Sequence, residues 1–298
     1  MRRFTMNVVD LPNGERLGFR ETVGGENPIV LVHGNMSSSK QWDTVMENIP
    51  EEFKVYAIDL RGFGVSTYHH PIDSLKDFSD DLKAICDMIG LKKFCLVGWS
   101  TGGGVCMKFA IDFPEYVRQL ILVESVGIKG YPIPRLDETG QIIPGEFLKT
   151  KEEIADDAVT MAPIVQAFQR KDKVFVKNLW DALVYTEKKP SQEKYEEYLD
   201  DILTQRNLVD VYYALSNFNI SYEHNGVTHG TGEVDKINVP TRVIHGENDQ
   251  VIPLDCGKEI KEMIGKNTRL EILKNCGHAP MVDCLEELIH QIVSFTKE

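Results

Sequence analysis

Apolar residues along this chain follow two rhythms. In "MNVVDLPNGERLGFRET" apolar and polar positions alternate on both sides of Asn13-Gly14, a dipeptide that accepts the positive φ angles of a tight turn, so the stretch predicts a β-hairpin. Short, continuous apolar runs follow: "NPIVLVHG", "KVYAIDLRG", "KKFCLVGW", "RQLILVES", "TRVIHGEND" and "TRLEILKNCGH". Runs that are apolar on both faces suit parallel strands covered by helices. Between them Phe78, Leu82, Ile85 and Ile89 recur at helical spacing, as do Ile260, Met263 and Ile264 over a shorter span. Strand and helix in alternation predict a doubly wound, mostly parallel α/β sheet. In such a sheet the reactive groups collect at the carboxyl ends of the strands.

The alternation stops between residues 127 and 236. A loop rich in proline and glycine, "GIKGYPIPRLDETGQIIPGE", opens the region, and "TKEE" at Thr150–Glu153 is a capping box for a helix. Four apolar stripes predict four helical segments: Ile154, Ala158, Met161, Val165 and Phe168; Phe175, Leu179 and Leu183; Tyr195, Tyr198, Leu199 and Ile202; Leu208, Val211, Tyr212, Leu215 and Phe218. Helix packing alone accounts for most of these residues. Placed over the strand ends, the same aromatic and aliphatic content lines a pocket. The expected organisation is a sheet unit from residues 1–126 and 237–298, with residues 127–236 as an inserted helical cap.

The formal net charge of −13 sets the chain against nucleic acid and anionic membrane surfaces, which repel a negative protein. No apolar run is long enough to span a bilayer, and "MRRFTMNVVDLPNG" lacks the apolar core of a signal peptide. The cysteines Cys86, Cys95, Cys106, Cys256, Cys276 and Cys284 show no framework spacing and read as buried free thiols. The expectation is a cytoplasmic protein that acts on a small molecule.

The chemistry begins at "LVGWSTGGGVC". Ser100 follows a buried strand and precedes a helix, with Gly98 and Gly102 two residues to either side. A strand-to-helix turn this sharp crowds those flanking positions and leaves the serine strained and exposed, as a nucleophile requires. The start of the next helix aims its amides at a developing oxyanion. Gly103 and Gly104 let that helix lie close to the sheet.

A serine at its ordinary pKa needs a base. Among eight histidines, His278 in "NCGHAP" lies just past the last apolar run, where a loop reaches the elbow. His33 and His245 sit in turns and read as braces; the pairs His69/His70 and His224/His229 lack the further ligands of a metal site. The base needs an acid to orient it. Asp249 in "GENDQVIP" gives the order Ser…Asp…His and is preferred; Glu124 in "ILVES" is the alternative, reaching the same histidine from another strand end. For the oxyanion, one donor is the Thr101 amide. The other comes from "HGNMSSSKQW", at the amide of Asn35 or alternatively of Met36.

With "HGNMSSS", "DLRGFGVS", "GWSTGG", "GENDQVIP" and "GHAP" occurring in this order, the chain resembles the α/β-hydrolase superfamily. Finer likenesses diverge. "HGN" with a downstream tryptophan is similar to haloalkane dehalogenases, but those use an aspartate where this chain has Ser100. "STGGG" is similar to cofactor-free haloperoxidases, which have a smaller cap. "GWSxGG" with a complete triad and a sizeable cap resembles intracellular polyhydroxyalkanoate-degrading hydrolases, carboxylesterases and meta-cleavage-product C–C hydrolases alike. The resemblance implies a serine hydrolase of carboxylic esters of short-to-medium acyl groups that uses no cofactor and no metal. A C–C bond hydrolase, a 3-hydroxyacyl oligomer hydrolase and a ligand-binding member without turnover are the alternatives.

Overall fold

The computed structural model describes residues 2–298. The strands are β1 (Phe4–Asp10), β2 (Arg16–Thr22), β3 (Asn27–Val32), β4 (Phe53–Ile58), β5 (Phe94–Trp99), β6 (Val117–Val123), β7 (Pro134–Leu136), β8 (Ile142–Phe147), β9 (Thr241–Gly246) and β10 (Thr268–Leu273). Eight of them form one sheet in the order β1-β2-β4-β3-β5-β6-β9-β10. The hairpin β1–β2 is antiparallel, turns at Gly14 with φ 86°, and joins β4 antiparallel. From β4 to β10 every neighbour is parallel. The six continuous apolar runs are the six parallel strands; β5 and β9 are buried at every position, as a sheet covered on both faces demands.

The helices are α1 (Asp43–Asn48), α2 (Leu75–Met88), α3 (Thr101–Asp112), α4 (Lys151–Asp156), α5 (Met161–Arg170), α6 (Lys173–Leu183), α7 (Gln192–Ile202), α8 (Leu208–Asn217), α9 (Leu254–Ile264), α10 (Pro280–Asp283) and α11 (Leu285–Thr296). One face of the sheet packs on α2, α3 and α9 through residues such as Phe78, Leu82, Phe109 and Ile260. The other packs on α1 and α11 through Val45, Met46, Leu288, Ile292 and Phe295. This is the doubly wound arrangement, with α1 and α11 added to the expected helices. All six cysteines are unbridged, with Cys256 and Cys284 only half-buried.

Between β6 and β9 two local details differ from the sequence pattern. The loop rich in proline and glycine contains an antiparallel ribbon, β7–β8, whose turn is closed by Asp137: its side chain accepts from the amides of Thr139 and Gln141. The first apolar stripe is two helices, not one. Asp157 breaks it, because its carboxylate accepts from the amides of Thr160 and Met161 and so caps α5. The segment therefore holds five helices, α4–α8. No helix among the described residues is long and apolar enough to cross a membrane.

Candidate active site

The register of the parallel strands decides what meets. Val32 pairs with Gly98, Trp99 with Val123, Val123 with Ile244 and Gly246 with Leu273. The loops that follow β3, β5, β6, β9 and β10 therefore open side by side at one sheet edge, carrying Asn35, Ser100, Glu124, Asp249 and His278.

Ser100 has φ 54° and ψ −121°, a strained backbone for a residue with a side chain. The turn is held by hydrogen bonds from the Ser100 amide to Val123 O at 2.9 Å and from the Val126 amide to Ser100 O at 3.2 Å. The flanking glycines are obligatory. A Cβ on Gly98 would strike the Gly102 carbonyl, and one on Gly102 would come within 2.5 Å of the Val32 and His33 carbonyls. At Gly103 a Cβ would collide with Ser125, so α3 could not lie this close to the sheet.

His278 Nε2 lies 3.0 Å from Ser100 Oγ, and His278 Nδ1 lies 2.7 Å from Asp249 Oδ2. With the Nδ1 proton donated to the carboxylate, Nε2 is free to accept the serine proton. Asp249 uses both oxygens: Oδ1 accepts from the amides of Val251 (2.7 Å) and Ile252 (2.9 Å), fixing the turn, while Oδ2 faces the imidazole. Trp99 steadies the far side, donating from Nε1 to the His278 carbonyl at 2.8 Å. Ser100 is 7% exposed and His278 3%, so the constellation is largely shielded from bulk solvent.

Glu124 does not reach His278. It is fully buried beside Asp249, its carboxyl accepting from the Gly246 amide at 2.8 Å. Burial pushes its pKa well above the ordinary carboxyl range, and the neighbouring Asp249 charge pushes it further, against the Gly246 amide. For Asp249 burial also acts upward, but the facing His278 and the Ile252 amide outweigh it and hold the carboxyl below its usual value. The pair divides the work: Asp249 carries the charge and Glu124 stays protonated.

This division predicts a pH effect. Above the ordinary glutamate value of 4.5 an unfolded chain has released the Glu124 proton while the folded chain retains it. Stability therefore falls as pH rises, by about 1.4 kcal/mol per unit from this group, until the folded carboxyl itself titrates. Glu124→Gln removes that penalty. Its melting temperature should gain on the parent as pH rises above the ordinary glutamate value; an offset independent of pH would contradict a raised Glu124 pKa.

His33 and His245 act as the braces expected of them. His33 Nδ1 donates to Gly34 O at 2.7 Å and Nε2 accepts from the Leu60 amide at 3.0 Å. His245 Nε2 donates to Ile252 O at 2.9 Å, and burial lowers its pKa. The amides of Asn35 and Thr101 have no hydrogen-bond acceptor among the described residues. The Met36 amide does have one, Gln205 Oε1 at 3.0 Å, which leaves Asn35 as the free donor of the two candidates.

Two apolar hollows flank Ser100. The larger, about 130 Å³, is walled by Met36, Ile164, Leu179, Trp180, Leu183 and Val184. The smaller, about 60 Å³, is walled by Val126, Leu215, Val251 and Ile252. Tyr131, Tyr212 and Asn35 border both, and no lysine or arginine lines either among the described residues. Sequence reasoning passed over Trp99, Tyr131 and Gln205. Trp99 was readable, being fixed by its place next to the nucleophile; Gln205 carries no local signal, because its partners are about 170 residues away in sequence.

The chain belongs to the α/β hydrolase fold family, whose model matches residues 27–283. It is 27% identical over 262 residues to a 2-hydroxy-6-oxo-2,4-heptadienoate hydrolase of Pseudomonas putida, covering 86% of this chain and 84% of that one. It is 24% identical over 273 residues to a pimeloyl-[acyl-carrier protein] methyl ester esterase of Nitrosomonas europaea, covering 90% and 95%. Among solved structures, an esterase from Exiguobacterium antarcticum superposes with a TM-score of 0.76 at 19% identity, over 98% of this chain and 99% of that one.

Proposed function

We propose that this chain is a serine hydrolase of carboxylic esters with short-to-medium acyl groups, working through Ser100, His278 and Asp249 under a cap formed by residues 127–236. The observation that carries the reading is the continuous relay from Ser100 Oγ to His278 at 3.0 Å and on to Asp249 at 2.7 Å, on a strained elbow beside two unengaged amides. Ser100 Oγ adds to the ester carbonyl as its proton passes to His278 Nε2; the carbonyl oxygen takes the charge between the amides of Asn35 and Thr101. Collapse expels the alcohol, which leaves with the proton from His278. Water then gives a proton to His278 and adds to the acyl-enzyme, and Ser100 departs with that proton as the acid is released.

The two hollows supply a place for each side of the ester. The larger one matches in size a cavity of about 150 Å³ that accepts benzene, which fits a short chain or a single ring. Filling it by apolar contact stabilises by about 0.8 kcal/mol per methylene, or roughly fourfold in kcat/KM, until the wall is met. For p-nitrophenyl esters, kcat/KM should rise from acetate to about the butyrate–hexanoate range and fall toward palmitate. A steady rise to palmitate would refute an acyl site limited to this hollow.

C–C bond hydrolysis is the second reading, favoured by the similarity to the Pseudomonas putida dienoate hydrolase. The same relay serves it. A dienoate brings a carboxylate, however, and the hollows offer it no cation; a buried, unpaired charge is costly. Esters and a vinylogous diketone carboxylate assayed side by side separate the readings, with turnover of the diketone alone deciding for C–C cleavage.

A further inference from the structure

The loop that offers the Asn35 amide is braced only in part from within, by Ser37 Oγ and His33 Nδ1 donating to the Gly34 carbonyl. Met36 stands at φ 52°, in the left-handed region that a side chain disfavours, so this bend needs outside support. The support comes from the segment joining α7 to α8. Gln205 Oε1 accepts from the Met36 amide at 3.0 Å, and Gln205 Nε2 donates to Asn35 Oδ1 at 2.8 Å. The Met36 N–H can only donate, which fixes which end of the Gln205 amide is the oxygen. Gln205 is anchored in turn, because Nε2 also donates to Asn207 Oδ1 at 3.0 Å and Asn207 Nδ2 donates to Arg61 O at 2.7 Å. One turn back, Asp201 on α7 accepts from Ser38 Oγ at 2.6 Å, so the same segment grips the loop at its other end.

We propose that Gln205 is a positioning residue for oxyanion stabilisation, holding the Asn35–Met36 bend from within residues 127–236 so that the Asn35 amide faces Ser100. The inference rests on the serine-hydrolase reading above. Two physical effects follow from its contacts. Occupying the Met36 N–H fixes the peptide plane next to the donor. Holding Asn35 Oδ1 keeps a carbonyl dipole from swinging toward Ser100, where it would repel the developing negative charge or capture the donor amides. Neither effect touches the ground-state carbonyl strongly, so loss of Gln205 is felt in the transition state.

The test compares Gln205→Leu and Gln205→Glu with the parent on a short-chain p-nitrophenyl ester, together with inhibition by an alkyl trifluoromethyl ketone. Ser100 Oγ adds to that ketone and passes its proton to His278, giving a hemiketal oxyanion that mimics the transition state. Gln205→Leu should lose about 10- to 100-fold in kcat and a similar factor in ketone affinity, with KM within about twofold. Gln205 borders a surface groove of about 290 Å³ and is 7% exposed, so the substitution leaves no dry void. Gln205→Glu keeps an acceptor for Met36 but turns an oxygen against Asn35 Oδ1, and should show the same split; it decides the matter should the leucine variant unfold. Unchanged kcat and ketone affinity, or a raised KM at constant kcat, would overturn the proposal. A parent enzyme inactive on every ester would instead overturn the reading on which it rests.

Discussion

A folded Ser100→Ala protein is expected to lose ester turnover by about 10⁴- to 10⁶-fold. The size follows from the site. Among the described residues Ser100 Oγ is the only hydroxyl placed on His278 Nε2, at 3.0 Å, and it stands on a strained backbone with φ 54° that presents it. Removing one oxygen costs the chain little in packing, because Ser100 borders both hollows rather than filling a core position. The variant should melt near the parent, with matching circular dichroism and activity reduced to background. Ordinary turnover from a folded Ser100→Ala protein would remove the serine from the mechanism.

Asp249→Asn is expected to cost about 10³- to 10⁴-fold in kcat while leaving the fold in place. The amides of Val251 and Ile252 both donate to Asp249 Oδ1, so an asparagine keeps its oxygen there and turns its NH₂ toward His278 Nδ1. Nδ1 must then accept, the ring proton moves to Nε2, and the imidazole can no longer take the proton of Ser100. Glu124→Gln, by contrast, replaces a protonated carboxyl with an amide of the same shape that still accepts from Gly246, and should stay within a few-fold of the parent. Parallel kinetics on the two variants, with folding checked by circular dichroism, measure the contrast. If Glu124→Gln proves the more damaging, the acid belongs to the end of β6 rather than β9.

The residues of the relay were legible in the sequence because each ends an apolar run with a recognisable turn. "GWSTGG" announces a close strand–helix approach, and the contacts a Cβ would make at Gly98 and Gly102 show why nothing larger fits. "GENDQVIP" and "NCGHAP" place their residues past β9 and β10, and parallel register does the rest. Sequence alone preferred Asp249 but kept Glu124 as the alternative, since both end neighbouring strands; both are buried in the fold, and it is the reach to His278 that separates them. The split of the first apolar stripe was hidden because Ala158 and Met161 stay in helical phase across the break that Asp157 makes. The β7–β8 ribbon was hidden for a different reason: Gly140 and Gly145, both at positive φ, read as loop residues whether or not a ladder closes around them. Gln205 was beyond reach, its role being written in contacts with Asn35 and Met36 that only the folded chain creates.

Covalent capture reads whether Ser100 is a nucleophile activated by His278. Treating the parent, Ser100→Ala and His278→Ala proteins with a fluorophosphonate and mapping the adduct by peptide mass spectrometry reads the nucleophile itself, free of any choice of substrate. One adduct per parent chain is expected, on the peptide carrying Ser100, with none on Ser100→Ala and capture slowed by orders of magnitude in His278→Ala. A parent chain that stays unmodified, or that is modified at another residue, would contradict a nucleophilic Ser100.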